Sequence, residues 1–324
     1  MNILITGGAG FIGSHLADRL LRDGSDHKVV CVDDLSTGSL DNIRHLMGRR
    51  DFRFVRDSVR NHGTMTSLVD HCDIIFHLAA AVGVKLIVDE PVRTIETNIH
   101  GSEVMLELAC KFGRKILIAS SSEVYGKGEK IPFAEDDDIV LGSTRFSRWC
   151  YACSKMVDEF LALAYHRQFG LPTIVCRFFN TVGPRQTGMY GMVIPRFVRW
   201  ALRNQPLEVY GQGQQVRSFC NVSDVVGAME KLMGCDGAVG QVINIGTEES
   251  TTIDGLADTI IEMTGSTAGK RYISYEQAYG QPFDDLPRRV PDLGRVRGLI
   301  GYEPRIALRQ TLEQVIAYEK GRLG

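Results

Sequence analysis

Asn2-Ile3-Leu4-Ile5-Thr6-Gly7-Gly8-Ala9-Gly10-Phe11-Ile12-Gly13 opens the 324-residue chain and decides its fold. A short apolar strand runs into a G-x-x-G-x-x-G turn, after which Ile12, Leu16 and Leu20 share one helical face. Glycines in such a turn let the backbone bend sharply and approach a pyrophosphate, whose charge rests on the helix N-terminus. The next apolar run, 28–33, ends in Asp33, 20 residues after Gly13. A carboxylate there accepts a hydrogen bond from a ribose 2′-hydroxyl and repels a 2′-phosphate, so the turn reads as a site for NAD rather than NADP.

Working outward, apolar runs recur at 73–78, 115–120 and 173–178. They are continuous rather than alternating, which is the pattern of parallel strands buried on both faces. Helical periodicity fills the gaps. Gly24 is expected to cap the first helix, a long helix follows Pro91, and another, carrying Val157, Leu161 and Ala164, closes at Gly170. This repetition predicts an α/β fold, a doubly wound parallel sheet (Rossmann) with right-handed crossovers. Beyond 178, Gly183-Pro184, Gly188, Gly191, Pro282, Pro287 and Pro291 break the pattern. Strands at 207–210 and 242–245 there alternate with helices at 192–203, 252–264 and 308–320. The expected organisation is an NAD-binding domain over 1–178, to which about 219–245 returns, and a smaller interleaved C-terminal substrate lobe over 179–324.

Composition narrows the function. With 44% hydrophobic and 23% charged residues and a net charge of −2, the chain has ordinary globular character and no basic stripe, which argues against nucleic acid as its main partner. No apolar run approaches the ~18 residues of a membrane span. The N-terminus enters the first strand directly, so no targeting peptide and a cytoplasmic location are expected. Of the eight cysteines, Cys150 and Cys153 have C-x-x-C spacing. A zinc site would want a second pair or nearby histidines, and a redox motif would follow an early strand, so neither a metal nor a redox role is expected.

The run 115–120 ends in Ser121-Ser122-Glu123-Val124-Tyr125-Gly126. Strand ends of a parallel sheet face the ligand crevice, so these polar residues lie where chemistry is expected. Downstream, Tyr151-Ala152-Cys153-Ser154-Lys155 opens a helix, and the i, i+4 spacing puts phenol and ammonium on one face. A lysine beside a tyrosine is expected to lower the phenol pKa, letting Tyr151 take a proton from a substrate hydroxyl as hydride leaves for NAD. Asp57 and Ser58 reach the adenine edge or form a solvated turn. Arg217 and Arg289, taken alone, read as solvated loop arginines, and Glu123 as a carboxylate capping a turn.

The glycine-rich turn, the 121–126 segment and Tyr151-x-x-x-Lys155 resemble the extended short-chain dehydrogenase/reductase family that acts on nucleotide sugars. The resemblance extends through Phe179-Asn180-Thr181-Val182-Gly183-Pro184-Arg185 and 211–219 to cover essentially the whole chain. It implies a catalytic set of Ser121, Tyr151 and Lys155, joined by Glu123 and Arg217. It implies NAD contacts from Gly7, Gly10, Phe11, Ile12, Gly13, Asp33, Asp57, Ser58 and Ala79, with Tyr151 and Lys155. Asn180, Arg185, Tyr210, Arg217 and Arg289 would grip a nucleotide sugar, with Asn180 and Arg289 at the diphosphate and Arg217 at the anionic end. A homodimer through helices near 92–111 and 151–169 is implied as well.

Within the family, Ser122 stands where 4,6-dehydratases carry the acid that protonates the departing hydroxyl, so dehydration is disfavoured. The Ser-Glu-Val-Tyr-Gly form, Arg148-Trp149-x-Tyr151 and the 289–304 stretch look most like UDP-glucuronate decarboxylases. A ketone at C4 is β to the C5 carboxylate, and such acids lose CO₂ readily. Glu123, buried beside that carboxylate, is expected to have a raised pKa and either to protonate the carbanion or to destabilise the carboxylate. Segments 80–85 and 188–192 depart from the decarboxylase pattern, the first toward 4-epimerases, which makes UDP-sugar 4-epimerisation the alternative. A non-catalytic NAD sensor would be expected to lack Tyr151 or Lys155, and both are present.

Overall fold

A computed structural model describes residues 1–189, 191–279 and 286–323; Tyr190 and Pro282 of the sequence reading lie outside the described residues. The chain begins β1 (Asn2–Thr6), α1 (Phe11–Leu20), β2 (Lys28–Val32), β3 (Phe52–Val55), α2 (His62–Asp70), β4 (Ile74–His77), α3 (Val84–Asp89) and α4 (Pro91–Phe112). It continues through β5 (Lys115–Ser121), α5 (Arg148–Phe169), β6 (Thr173–Phe178), β7 (Thr181–Val182), α6 (Val193–Leu202), β8 (Leu207–Tyr210) and β9 (Val216–Ser218). It closes with β10 (Cys220–Asn221), α7 (Val222–Met233), β11 (Val242–Ile245), β12 (Ser250–Thr252), α8 (Ile253–Thr264), β13 (Lys270–Ile273), α9 (Tyr275–Tyr279), β14 (Arg288–Arg289), α10 (Gly294–Ile300) and α11 (Leu308–Leu323).

Among the described residues, seven strands form one sheet in the order β3-β2-β1-β4-β5-β6-β11. Every pairing in it is parallel. Strand order reverses between β1 and β4, so a crevice opens above their carboxyl ends, the usual ligand position in such sheets.

The continuous apolar strands are explained by the two cores they join. Ile3 and Ile5 face a core with Leu16 and Leu20 of α1 and Val225 and Met229 of α7. Leu4, one residue out of phase, faces Met65, Leu106 and Ala162 of α2, α4 and α5. Each such buried side chain contributes roughly 1.5–3 kcal/mol relative to exposure. A third core, with Phe197, Val209, Leu256 and Leu312, joins α6, β8, α8 and α11. The segment between them returns to the sheet, where α7 packs on α1 and β11 pairs with β6.

One boundary differs from expectation. α1 stops at Leu20 with Leu21 as its cap, and Gly24 (φ +81°) turns the chain afterwards. Gly170 caps α5 in the left-handed conformation, as its position predicts. No helix among the described residues is long and apolar enough to cross a membrane.

Candidate active site

A cleft of about 610 Å³ lies above the carboxyl ends of β1, β4 and β5 and is closed on its far side by β8, β9 and β14. Its first half is backbone. Gly7 has φ +70°, and a Cβ on it would stand 2.9 Å from the Ala79 amide nitrogen. A Cβ on Gly13 would stand 2.2 Å from the Gly7 carbonyl oxygen. The turn therefore closes only with glycine at these positions, leaving a bare cradle at the start of α1. Asp33, at the end of β2, is buried against it. Its Oδ2 accepts from the Ala9 amide (3.1 Å) and its Oδ1 from the Leu35 amide (2.8 Å). Burial raises its pKa, opposed by those two amides. The residues present fit a dinucleotide: glycine cradle, acid at the ribose position, and Gly10, Phe11, Ile12, Asp57, Ser58 and Ala79 lining the same space. Asp57 is also committed locally, accepting from Ser58, Asn61 and Thr64.

Asp33→Asn is expected to weaken NAD binding about tenfold and to narrow the preference over NADP, since the charge that repels a 2′-phosphate is removed. Calorimetric titration with both cofactors reads this directly, and an unchanged preference would count against Asp33 as the discriminator.

The second half of the cleft is side chains. β5 delivers Ser121, whose Oγ accepts from the Glu123 amide (3.2 Å) and so starts a tight 3₁₀ turn over Ser122–Tyr125. Tyr125 anchors the turn, stacked on Phe133 at 4.7 Å and donating to Asn244 Oδ1 at 2.7 Å. Glu159 of α5 accepts from Ser120 (2.5 Å) and from Arg177 of β6 (2.7 Å), fixing α5 against the sheet. Tyr151, in the first turn of α5, is thereby brought into the same cleft as the Ser121 hydroxyl, which favours its ionised form.

Two expectations about ionisation are corrected. Burial would raise the Glu123 carboxyl, but Arg289 (2.5 Å to Oε1) and Arg148 (3.1 Å to Oε2) overcome it and hold the pKa at about 2. Glu123 is thus an anion throughout the neutral range and not a proton donor. Tyr151 is raised, not lowered: burial dominates, Glu123 and Asp158 add to it, and Ser121 and Arg289 oppose it. The Lys155 ammonium, expected to lower it, is paired with Asp158 (3.1 Å).

Of the residues expected to meet substrate, Asn180, Tyr210, Arg217 and Arg289 line the cleft. Arg217 and Arg289 are adjacent across the β9–β14 pair and both buried, so the reading of either as a solvated loop arginine is overturned. Asn180 Nδ2 donates to the Ser218 carbonyl (2.8 Å), and Tyr210 accepts from Arg196 (2.6 Å). Arg185 is a correction: at φ +69° it pairs with Asp18 of α1 (2.8 Å) and does not line the cleft. Residue-by-residue reading missed the Arg148 arm of the Glu123 clamp and the Asp158 partner of Lys155. For Asp158, the i, i+3 spacing to Lys155 was the available signal.

Fold and site together define an NAD-dependent enzyme of the extended short-chain dehydrogenase/reductase kind. The family described as GDP-mannose 4,6 dehydratase matches residues 4–315, and the chain belongs to it. It is 40% identical to a UDP-N-acetyl-alpha-D-glucosaminuronate decarboxylase of Bacillus cytotoxicus, over 97% of this chain and 96% of that one. It is 37% identical to UDP-glucuronic acid decarboxylase 1 of Xenopus tropicalis, over 99% of this chain and 72% of that one. Among solved structures, a UDP-glucuronic acid 4-epimerase from Bacillus cereus, in complex with UDP-glucuronic acid and NAD, superposes with a TM-score of 0.90 at 28% identity, covering 99% of this chain and 100% of that one.

Proposed function

We propose that this chain decarboxylates UDP-glucuronate through transient oxidation at C4. The observation that carries the reading is the ionised Glu123, held between Arg148 and Arg289 next to Ser121 and Tyr151. Bound NAD supplies the hydride acceptor. Ser121 holds the C4 hydroxyl, and Tyr151 takes its proton. The resulting ketone is β to the C5 carboxylate, so the electron pair of the breaking C5–C6 bond flows to the C4 oxygen, where the Ser121 and Tyr151 hydroxyls stabilise it. C5 would then take a proton from water, and return of the hydride to C4 and of the proton from Tyr151 to its oxygen would leave a UDP-pentose. Glu123 keeps both guanidiniums occupied, which leaves the substrate carboxylate poorly compensated and favours its departure as CO₂. This selects the second of its two expected roles.

Ser122 offers no acid for water elimination, which sets dehydration aside despite the family's name. The decarboxylase relatives support the reading, and the glucuronate epimerase neighbour supports 4-epimerisation as the second. Asn180 and Tyr210, in the lobe from 179 onward, are the proposed contacts to the nucleoside diphosphate. Arg217, expected at the substrate's anionic end, is proposed to join them, and Arg289, expected at the diphosphate, is instead paired with Glu123. Val92 on α4 and Phe160 on α5 are each more than half exposed on large apolar side chains, which supports a homodimer through those helices. The cytoplasm is the compartment proposed.

Incubation with NAD and a panel of UDP-glucuronate, UDP-N-acetylglucosaminuronate and UDP-glucose, followed by mass analysis, tests the substrate. A UDP-pentose from UDP-glucuronate is expected. UDP-galacturonate without loss of mass would replace this reading with the epimerase.

A further inference from the structure

Lys155 and Asp158 form an ion pair in the interior of the protein, with side chains 3% and 0% exposed. Such a pair is costly to bury, and Asp158 Oδ1 has no hydrogen bond of ordinary geometry among the described residues. A chain of polar groups leads to it from the strand that carries the glycine-rich turn. Thr6 Oγ1 already accepts from the Leu78 (3.1 Å) and Ala79 (3.2 Å) amides, so its hydroxyl proton is directed to His77 Nδ1 at 2.8 Å. His77 is neutral, its pKa lowered to about 3 by burial and by Lys155. With Nδ1 accepting, Nε2–H donates to Ser102 Oγ (3.4 Å). The Ser102 hydroxyl is then free to donate to the Asp158 carboxylate that it faces. The three side-chain donors, Thr6, His77 and Ser102, run one way, toward the Asp158 carboxylate.

We propose that Asp158 is a positioning residue that holds the Lys155 ammonium and cancels its charge, so that Tyr151 keeps its proton until the positive charge of oxidised nicotinamide is beside it. The inference rests on the reading of Tyr151 as the base. The charged groups around the pair are few. Glu123 and Arg289 face Tyr151 from the turn after β5 and from β14, and Ser121 faces it from β5. His77 of β4 and Ser102 of α4 face the ion pair. Glu159 of α5 lies near Asp158 but is itself neutralised by Arg177 of β6. Asp158 is the acid of that helical turn that is ion-paired with Lys155, and its removal exposes the phenol to an uncompensated ammonium.

The test is a titration of the Tyr151 phenol in the full chain with NAD⁺ bound, by ¹³C NMR of Cζ-labelled tyrosine assigned with Tyr151→Phe. Asp158→Asn is expected to lower the midpoint by about one pH unit. The acid limb of the pH profile for NADH formation is expected to move down with it, whereas a merely structural role would lower the rate equally at every pH. A midpoint within a few tenths of the wild-type value in the folded variant overturns the proposal. If Asp158→Asn does not fold, Asp158→Ser is held to the same expectation and the same criterion. The NMR signal reports the phenol whatever becomes of the sugar, so failure of decarboxylation and failure of this inference are separately visible.

Discussion

Tyr151→Phe is expected to reduce turnover about a thousandfold, within the range a positioned general acid–base contributes, while NAD binding stays within a factor of two or so of wild type. The phenol ring fills a buried site in the first turn of α5, and phenylalanine keeps that packing. What is lost is the hydroxyl that meets Ser121 and takes the proton from C4. The loss should fall on the first step. No NADH absorbance should develop in a single turnover, and no oxidised sugar should accumulate. Rapid-mixing absorbance with calorimetric NAD binding checks both halves. Turnover retained within tenfold would remove Tyr151 from the role of base.

Glu123→Gln should separate the two halves of the reaction. With the charge gone, Arg289 and Arg148 lose the carboxylate that holds them at 2.5 and 3.1 Å, and their positive charge is expected to turn to the substrate carboxylate instead. A well-compensated carboxylate leaves more slowly, and an interaction change of ~3 kcal/mol corresponds to about a hundredfold slower CO₂ release. Oxidation at C4 uses Ser121, Tyr151 and Lys155 and should continue, so NADH and the 4-keto sugar build up. The pH dependence carries a second sign. Because Glu123 has a pKa of about 2, wild-type decarboxylation should show no limb near pH 4–5 from this residue. A limb there, abolished in Glu123→Gln, would show that Glu123 exchanges a proton after all.

The dinucleotide half of the site was legible because it is local. The strand, the glycines, the helix and Asp33 fall within the first 33 residues, and steric closure of the turn at Gly7 and Gly13 dictates residue type directly. Tyr151 and Lys155 were legible for the same reason, one helical turn apart. The electrostatics were not. The charge state of Glu123 is set by Arg289, 166 residues away in sequence, and by Arg148, 25 away, and no spacing rule connects them. Like-charge reasoning from the substrate alone therefore gave the wrong sign. Lys155 was read against its i−4 neighbour Tyr151, whereas its ion-pair partner is Asp158 at i+3. Arg185 was assigned by its place in a family motif, but its left-handed backbone turns the side chain toward Asp18.

The most direct test of the account uses UDP-glucuronate labelled with ¹³C in the carboxyl group, incubated with the purified protein and NAD⁺. Labelled CO₂ should be released in step with an unlabelled UDP-pentose, both absent with Tyr151→Phe. Label retained in a UDP-hexuronate epimerised at C4 would contradict it.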